Sequence, residues 1–202
     1  MARWLNASIA SVKVTQSIDI KKMNTFKSYE NNPPHLFLPN TKYFITCSTL
    51  NKYPYLESDE AKWATFDYLK NSLSHFDWEL EDWVILDNHI HMMVNSPKKA
   101  ETLSSVIENF HKFTANWLSR NQINKKGTKY FHNYWDTCIT YEKSYNSRLN
   151  YIWYNPVKHG YVDSPEKWKF GSFYYRFTED EINMKNIFEK HPFNQLKIKD
   201  DF

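Results

Sequence analysis

The chain has 202 residues and a net charge of +3, and 41% of its residues are hydrophobic and 24% charged. This length suits one domain with a buried core, and the polarity argues against a membrane protein. The sequence contains no run of about 18 apolar residues and no secretory signal pattern, so we expect a cytoplasmic protein. Two widely separated cysteines, Cys47 and Cys138, predict reduced, buried thiols rather than a disulfide framework.

Three parts can be distinguished along the chain. Residues 1–40 are polar, lack a sustained hydrophobic period and end in NNPPHLFLPN, which predicts an irregular N-terminal arm. Residues 41–177 are expected to form the domain, and residues 178–202 a charged tail with one short helix at EDEINMKNIFEK. Between residues 89 and 170 there are 12 Lys and Arg against 6 Asp and Glu, a balance that suits a phosphate-bearing partner.

The first half of the domain predicts three strands and two helices. TKYFITCSTL is aromatic and β-branched, as in a strand, and a helix with apolar residues at three- and four-residue steps follows Ser58, its N-cap. DWELEDWVILD and HIHMMVN predict two strands joined by a tight hairpin at Asp87 and Asn88. A second amphipathic helix is predicted after Thr102, its expected N-cap.

The second half predicts a loop, a strand and a third helix. QINKKGTK is polar and basic, as in an exposed loop, and YFHNYWDTCIT is strand-like. YEKSYNSRLNYIWYN has helical periodicity and is expected to end at Pro156. The order of elements predicts an α+β fold, with a ferredoxin-like or RRM-like antiparallel sheet, two helices on one face and an additional C-terminal helix that bears tyrosines. We expect the opposite face of the sheet to be available for chemistry.

Two histidines stand one residue apart in HIHMMVN. Residues two apart on a strand share a face, so His89 and His91 would present their imidazoles side by side while Ile90 points into the core. This arrangement suits two ligands of one metal ion. Hydrogen-bonded surface histidines explain an isolated pair equally well.

A tyrosine and an asparagine occur further along the chain, in LNYIWYNPVKHGYV. Tyr151 and Asn155 lie one turn apart on the same face of the predicted third helix. A tyrosine hydroxyl can attack phosphorus, and a divalent cation held by two imidazoles and the Asn155 amide oxygen would polarise a phosphate for that attack. A helical tyrosine is more often a packing residue, and Tyr154 is a competing candidate.

These two motifs resemble those of a known family. NHIHMMV resembles the HUH motif (histidine, bulky hydrophobic residue, histidine), and YIWYNPVKHGYV is similar to the tyrosine signature of HUH single-tyrosine, IS200-like transposases, most of all the REP-associated tyrosine transposases. The resemblance spans residues 43–170 and includes the aromatic and acidic pattern of YWDTCIT. Asn155 favours the REP-associated branch, since the insertion-sequence branch commonly has Gln there, whereas Asp87 replaces a frequent Pro.

The resemblance implies a transposase-like enzyme that cuts single-stranded DNA beside a hairpin, keeps the 5′ phosphate on a tyrosine and transfers the strand. It implies Tyr151 as the nucleophile, and His89, His91 and Asn155 as ligands of Mg²⁺ or Mn²⁺. It also implies single-stranded or hairpin DNA as the partner, and it raises a homodimer in which the tyrosine helix of one copy completes the site of the other. Two alternatives stay open: a hairpin-binding protein that no longer cuts, and a phosphoesterase that uses activated water.

Contacts to DNA phosphates are expected from basic residues around the motifs, although a solvated surface charge is the simpler explanation for any single one. His132 and His159 lie near the motifs and are weaker candidates for metal ligands, and Asp87 is expected to be a hairpin residue. The candidate DNA-binding residues are Lys112, Lys125, Lys126, Lys129, Arg148 and Lys158.

Overall fold

A computed structural model describes residues 26–29, 32–121, 129–176 and 181–191. The strands in these ranges are β1 (Phe26–Tyr29), β2 (Asn32–Leu36), β3 (Lys42–Ser48), β4 (Glu79–Ile85), β5 (His89–Asn95) and β6 (Trp135–Ile139). The helices are α1 (Asp59–His75), α2 (Leu103–Asn121), α3 (Glu142–Lys158), α4 (Ser172–Arg176) and α5 (Glu181–Lys190). Short 3₁₀ helices lie at Leu50–Lys52, Ala100–Thr102 and Pro165–Lys167.

Four strands form an antiparallel sheet in the order β4-β5-β3-β6. The central strand β3 pairs with β5 along its whole length, from Lys42 opposite Asn95 to Ser48 opposite His89. On its other side β3 pairs with the edge strand β6. The first strand of the domain therefore lies between the third and the fourth, with helical crossovers through α1 and α2, as in a ferredoxin-like fold. The predicted fold class is confirmed.

Helices α1 and α2 pack on one face of this sheet. The hydroxyl of Ser58 accepts a hydrogen bond of 3.1 Å from the Ala61 amide, so the predicted cap of α1 is confirmed. Burying a large apolar side chain contributes about 1.5–3 kcal/mol, so this core fixes which face of each strand points inward. Its fully buried members include Ile45, Ile85, Ile90, Leu69 and Phe110.

The opposite face of the sheet is covered by α3, which corrects the expectation that this face is available. Phe44 and Met93 of the sheet pack in one cluster with Leu149, Tyr151 and Ile152 of the helix. Apolar residues at three- and four-residue steps along α3 form the face that packs against the sheet. The candidate site residues on the sheet therefore meet a helix rather than open solvent.

Helix α3 continues past Pro156, although the sequence predicted that it ends there. Proline lacks the N–H that an internal helical position normally uses, but the last turn is closed by bonds from His159 N to Asn155 O (3.1 Å) and from Gly160 N to Val157 O (3.0 Å). Gly160 adopts φ of +74°, which favours glycine and ends the helix. As a result, Lys158 remains helical.

Two further expectations need correction. The hydroxyl of Thr102 donates to Lys99 O (2.7 Å) and accepts from Trp78 Nε1 (3.0 Å), so it does not cap α2 as predicted. The arm predicted to be irregular contains an antiparallel pair, β1 with β2, and its first 25 residues lie outside the described ranges.

Other expectations hold. Helix α5 confirms the short helix in the tail, and both cysteines are free thiols, Cys47 buried and Cys138 partly buried. Among the helices that the structure describes, none is long and apolar enough to cross a membrane.

Candidate functional site

His89 and His91 point to the α3 side of β5, as the strand alternation predicted. Their ring centroids lie 5.0 Å apart, whereas Ile90 between them is buried in the core under α1 and α2. His91 is 0% exposed and His89 is 6% exposed. The pair is therefore a buried feature of the sheet, and the alternative of two surface histidines is wrong.

Both imidazoles are held through Nδ1. His89 Nδ1 lies 2.7 Å from Asn88 Oδ1, and His91 Nδ1 lies 2.9 Å from Thr46 Oγ1 on the neighbouring strand. Hydrogen bonds of this kind fix the orientation of a ring whose other nitrogen binds a metal.

Asn155 brings α3 to the histidine pair. Its side-chain oxygen lies 3.0 Å from His89 Nε2, and the residue is 0% exposed. Both ring nitrogens of His89 therefore face amide oxygens, yet a neutral imidazole carries only one N–H to donate. A divalent cation would use His89 Nε2 and Asn155 Oδ1 as ligands and leave the Nδ1 proton for Asn88. The residues present thus fit a cation that accepts nitrogen and oxygen ligands.

Within the described ranges, no group of three or more His, Cys, Asp or Glu side chains is arranged to hold a metal ion. The backbone N–H of His132 donates to Ser48 O (2.9 Å), and the His132 ring accepts at Nε2 from Asn51 N (3.4 Å). The His132 ring nitrogen is therefore used by the backbone of Asn51 and not by the histidine pair. His159 is exposed, with its ring centroid 4.9 Å from that of His89. The third ligand of a site here would be the amide of Asn155.

Tyr151 lies against the histidine pair and is 2% exposed. Its ring centroid is 5.1 Å from that of His91 in an edge-on arrangement, and 6.3 Å from that of Phe44. Its hydroxyl accepts a hydrogen bond of 2.8 Å from Lys158 Nζ. Tyr154 is only half-buried, and burial together with the charge of Glu166 raises its pKa. Of the two competing tyrosines, Tyr151 is the one beside the histidines.

The four candidate DNA-binding residues that the structure describes do not form one surface. Lys158 and Arg148 lie on α3 next to Tyr151, with the Arg148 guanidinium 5.8 Å from the centroid of the Phe44 ring. Lys112 and Lys129 instead line a 450 Å³ cleft between α2 and residues 129–134. Lys125 and Lys126 lie outside the described residues.

Asp87 turns away from the histidine pair. Its carboxylate pairs with Lys62 Nζ at 2.6 Å, and the Lys62 side chain is only 3% exposed. This ion pair ties the β4–β5 hairpin to α1, which fits its predicted role as a hairpin residue.

A buried carboxylate that the sequence analysis missed anchors α3. Asp82 Oδ1 accepts hydrogen bonds from Trp153 Nε1 (2.9 Å) and Ser172 Oγ (2.6 Å), and Oδ2 lies 3.0 Å from Arg176 Nη1. Burial raises the pKa of Asp82, and these partners oppose the rise. The signal in the sequence was an acidic residue directly before the apolar run WVI of β4, since a charge buried next to such a run needs partners.

Comparison with known proteins identifies the family. The family model described as transposase IS200 like matches residues 37–154, a range that includes the histidine pair and Tyr151 and ends one residue before Asn155. The chain belongs to the IS200-like transposases. The resemblance inferred from the two motifs is therefore confirmed at the level of the family.

Two relatives of this IS200-like transposase carry related names. A Haemophilus influenzae protein assigned as a REP-associated tyrosine transposase is 31% identical over 140 residues, which cover 65% of this chain and 77% of that protein. The REP-associated tyrosine transposase of Escherichia coli is 30% identical over 98 residues, which cover 48% of this chain and 55% of that protein.

A solved structure shares the fold of this IS200-like transposase. It is that of a REP-associated tyrosine transposase bound to a REP hairpin, with a TM-score of 0.63 and 18% sequence identity. The alignment covers 87% of this chain and 94% of that one, so the shared fold extends over nearly the whole neighbour.

Proposed function

We propose that this protein cuts single-stranded DNA beside a hairpin and transfers the strand, with a covalent 5′-phosphotyrosine on Tyr151 as the intermediate. The observation that carries the proposal is the contact of the Tyr151 ring with His91, on the face where His89 meets Asn155. Membership of a transposase family supports a DNA-processing enzyme. The neighbour with the same fold binds a REP hairpin, which supports hairpin DNA as the substrate.

The proposed reaction is a transesterification. The Tyr151 hydroxyl oxygen attacks phosphorus, an O–P bond to tyrosine forms and the P–O3′ bond breaks. The phenolic proton is lost to solvent, and the departing 3′ oxygen takes up a proton. Attack by another 3′ hydroxyl reverses these steps and joins two strands. Because the phosphoester bond is conserved on the tyrosine, rejoining requires no nucleoside triphosphate.

The residues around Tyr151 have separate proposed roles. His89, His91 and Asn155 would hold Mg²⁺ or Mn²⁺, which supplies polarisation of the scissile phosphate when bound. Asn88 and Thr46 hold the two imidazoles in place through Nδ1.

We also propose where the DNA backbone lies. Lys158 and Arg148 flank Tyr151 on α3 and are the proposed contacts to phosphates near the reacting one. Lys112 and Lys129 belong to a second basic region along α2, suited to more distant phosphates. A homodimer is also proposed. In the site described above, Tyr151 and the histidine pair come from one chain.

The covalent intermediate gives the direct test. The full chain is incubated with single-stranded hairpin oligonucleotides taken from inverted repeats that flank its gene, with Mg²⁺ or Mn²⁺, and resolved on a denaturing gel. We expect a protein–DNA adduct that is lost in Tyr151→Phe. Tyr154→Phe is the matched control and should retain the adduct, because the ring placed 5.1 Å from that of His91 is the ring of Tyr151.

The other outcomes point to the two alternatives. Cleavage without an adduct would indicate a phosphoesterase that uses activated water. Binding without cleavage would indicate a hairpin-binding protein. An adduct that persists in Tyr151→Phe and disappears in Tyr154→Phe would overturn the nucleophile assignment.

A further inference from the structure

A partly exposed tryptophan lies in the same row of the sheet as His91. Trp135 on β6 is directly opposite Thr46 on β3, and Thr46 is directly opposite His91 on β5. Directly opposed residues of antiparallel strands point to the same face. Two neighbours in this row are also joined by a hydrogen bond, since the Thr46 hydroxyl lies 2.9 Å from His91 Nδ1.

The packing of β6 confirms which face Trp135 occupies. Cys138 packs against the core under α1 and α2, whereas Ile139 belongs to the cluster under α3. Strand alternation then places Trp135 and Thr137 on the α3 side. Trp135 is 38% exposed there. Two strand spacings separate it from His91, a distance of about 10 Å.

A cation stands between this edge and the tyrosine. Arg148 precedes Tyr151 by three residues, so both lie on one face of α3. Its guanidinium lies over the ring of Phe44, and Phe44 is directly opposite Thr137 on the edge strand. The α3 side of the sheet edge therefore offers an aromatic surface and a positive charge next to the proposed nucleophile.

We propose that Trp135 stacks against the unpaired base of a nucleotide next to the phosphate that Tyr151 attacks, with Arg148 contacting the intervening backbone. This inference rests on the proposed function. Aromatic side chains in a basic groove bind single strands by base stacking without a strong sequence preference. The separation of about 10 Å between Trp135 and His91 lies within the reach of a few nucleotides of single strand.

Exposure alone does not single out Trp135. Trp63 on α1 is 37% exposed, nearly the same fraction, but packs with Phe66 and Phe170 on the other side of the sheet. The proposal depends on the position of Trp135 in the His91 row, so Trp63 provides a matched control of the same residue type.

The test measures binding of the hairpin oligonucleotide in a Tyr151→Phe background, where cleavage does not interfere, and adduct formation with Tyr151 intact. Trp135→Leu keeps apolar bulk but removes the aromatic face, and we expect it to weaken binding about 10-fold, the scale of one stacked base. Trp135→Phe should retain most of the affinity, and Trp63→Leu all of it. Thermal denaturation of each variant checks that it is folded.

Abasic substitution locates the stacked base. Each nucleotide flanking the cleavage point is replaced in turn by an abasic one. At one position the replacement should weaken binding by the protein with Trp135 about 10-fold and have no further effect on Trp135→Leu. Equal affinity of Trp135→Leu and Trp63→Leu for the hairpin would overturn the proposal. So would a loss of affinity in Trp135→Leu that is added to the loss caused by the abasic nucleotide at every position.

The two proposals fail in distinguishable ways. An adduct on Tyr151 together with unchanged binding by Trp135→Leu would overturn the stacking site and leave the proposed function intact. No binding and no adduct with Trp135 and Tyr151 both present would overturn the proposed function and the stacking site with it.

Discussion

The ammonium group of Lys158 donates a hydrogen bond of 2.8 Å to the hydroxyl oxygen of Tyr151. The two residues are seven positions apart on α3, which is two helical turns, and the ammonium also lies 4.7 Å from the centroid of the tyrosine ring. A cationic donor at this oxygen orients it and stabilises the negative charge that develops as the phenolic proton leaves. Lys158 is therefore expected to act on the nucleophile itself.

Lys158→Met should slow adduct formation about 10- to 100-fold, because it removes one charged donor at the reacting oxygen while keeping side-chain length. Lys158→Arg should retain part of the rate. The measurement is the single-turnover rate of adduct formation at saturating hairpin DNA, alongside the dissociation constant.

Lys112→Met is the matched control, since Lys112 lies on α2 away from Tyr151. It should change binding and its salt dependence but leave the single-turnover rate unchanged. If Lys158→Met weakens binding but leaves the rate unaltered, only the proposed phosphate contact of Lys158 remains, and its action on the tyrosine is overturned.

Metal binding should depend on the residues around His89. His91→Ala and Asn155→Ala are each expected to lower Mn²⁺ affinity by 10-fold or more, and Thr46→Val by about 10- to 100-fold through loss of the bond that orients His91. Electron paramagnetic resonance of Mn²⁺ with the protein alone measures this without DNA. His132→Ala should leave the affinity unchanged, and an equal loss in that variant would contradict the ligand set.

Mixing two inactive variants tests whether the site is complete in one chain. Tyr151→Phe lacks the proposed nucleophile and His89→Ala lacks a proposed metal ligand, so in a mixture only a site shared between two copies could combine both residues. Because Tyr151 contacts His91 of its own chain, we expect no adduct from the mixture. Recovery of about one quarter of the adduct would follow if dimers mix at random and each site takes its tyrosine from the other copy.

Trp153→Phe should lower the free energy of unfolding by about 1–3 kcal/mol, because it removes one donor from the buried carboxylate of Asp82. Urea denaturation measures the change. Trp168→Phe is the control, since Trp168 Nε1 donates to the neutral carbonyl of Ile85 at 3.1 Å and a smaller loss is expected. An equal loss of unfolding free energy in both variants would show that the bond from Trp153 to the Asp82 carboxylate stabilises α3 no more than a bond to a neutral carbonyl does.

Stability should fall in mild acid through His111. The ring stacks on Phe131 at 4.4 Å, Nε2 is buried with no hydrogen-bond partner among the described residues, and burial, with the charge of Lys129 second, lowers its pKa to about 3. An unfolded histidine takes up its proton near pH 6.5. The stability that neutral His111 contributes is therefore present above pH 6.5 and is lost as the pH falls towards 3, by at most about 1.4 kcal/mol per pH unit.

His111→Phe keeps an aromatic ring for Phe131 and has no proton to gain. Urea denaturation between pH 7 and pH 4.5 should show a shallower loss of stability for this variant than for the chain with His111. Parallel curves would contradict the assignment.

The sequence by itself determined the features that depend on local periodicity. Alternation on a strand placed His89 and His91 on one face, and helical spacing placed Tyr151 and Asn155 on another, because these periods are properties of the backbone. The order of the elements predicted the ferredoxin-like sheet. The motifs predicted the family, which the match to residues 37–154 confirms.

Only the tertiary structure decided how these faces meet. It placed α3 over the histidine face, put the Tyr151 ring beside that of His91, and set Trp135 in one row with His91. It also separated Lys112 and Lys129 from Lys158. The physical reason is that strand register and helix docking depend on which apolar surfaces become buried together, and those surfaces come from residues far apart in the chain.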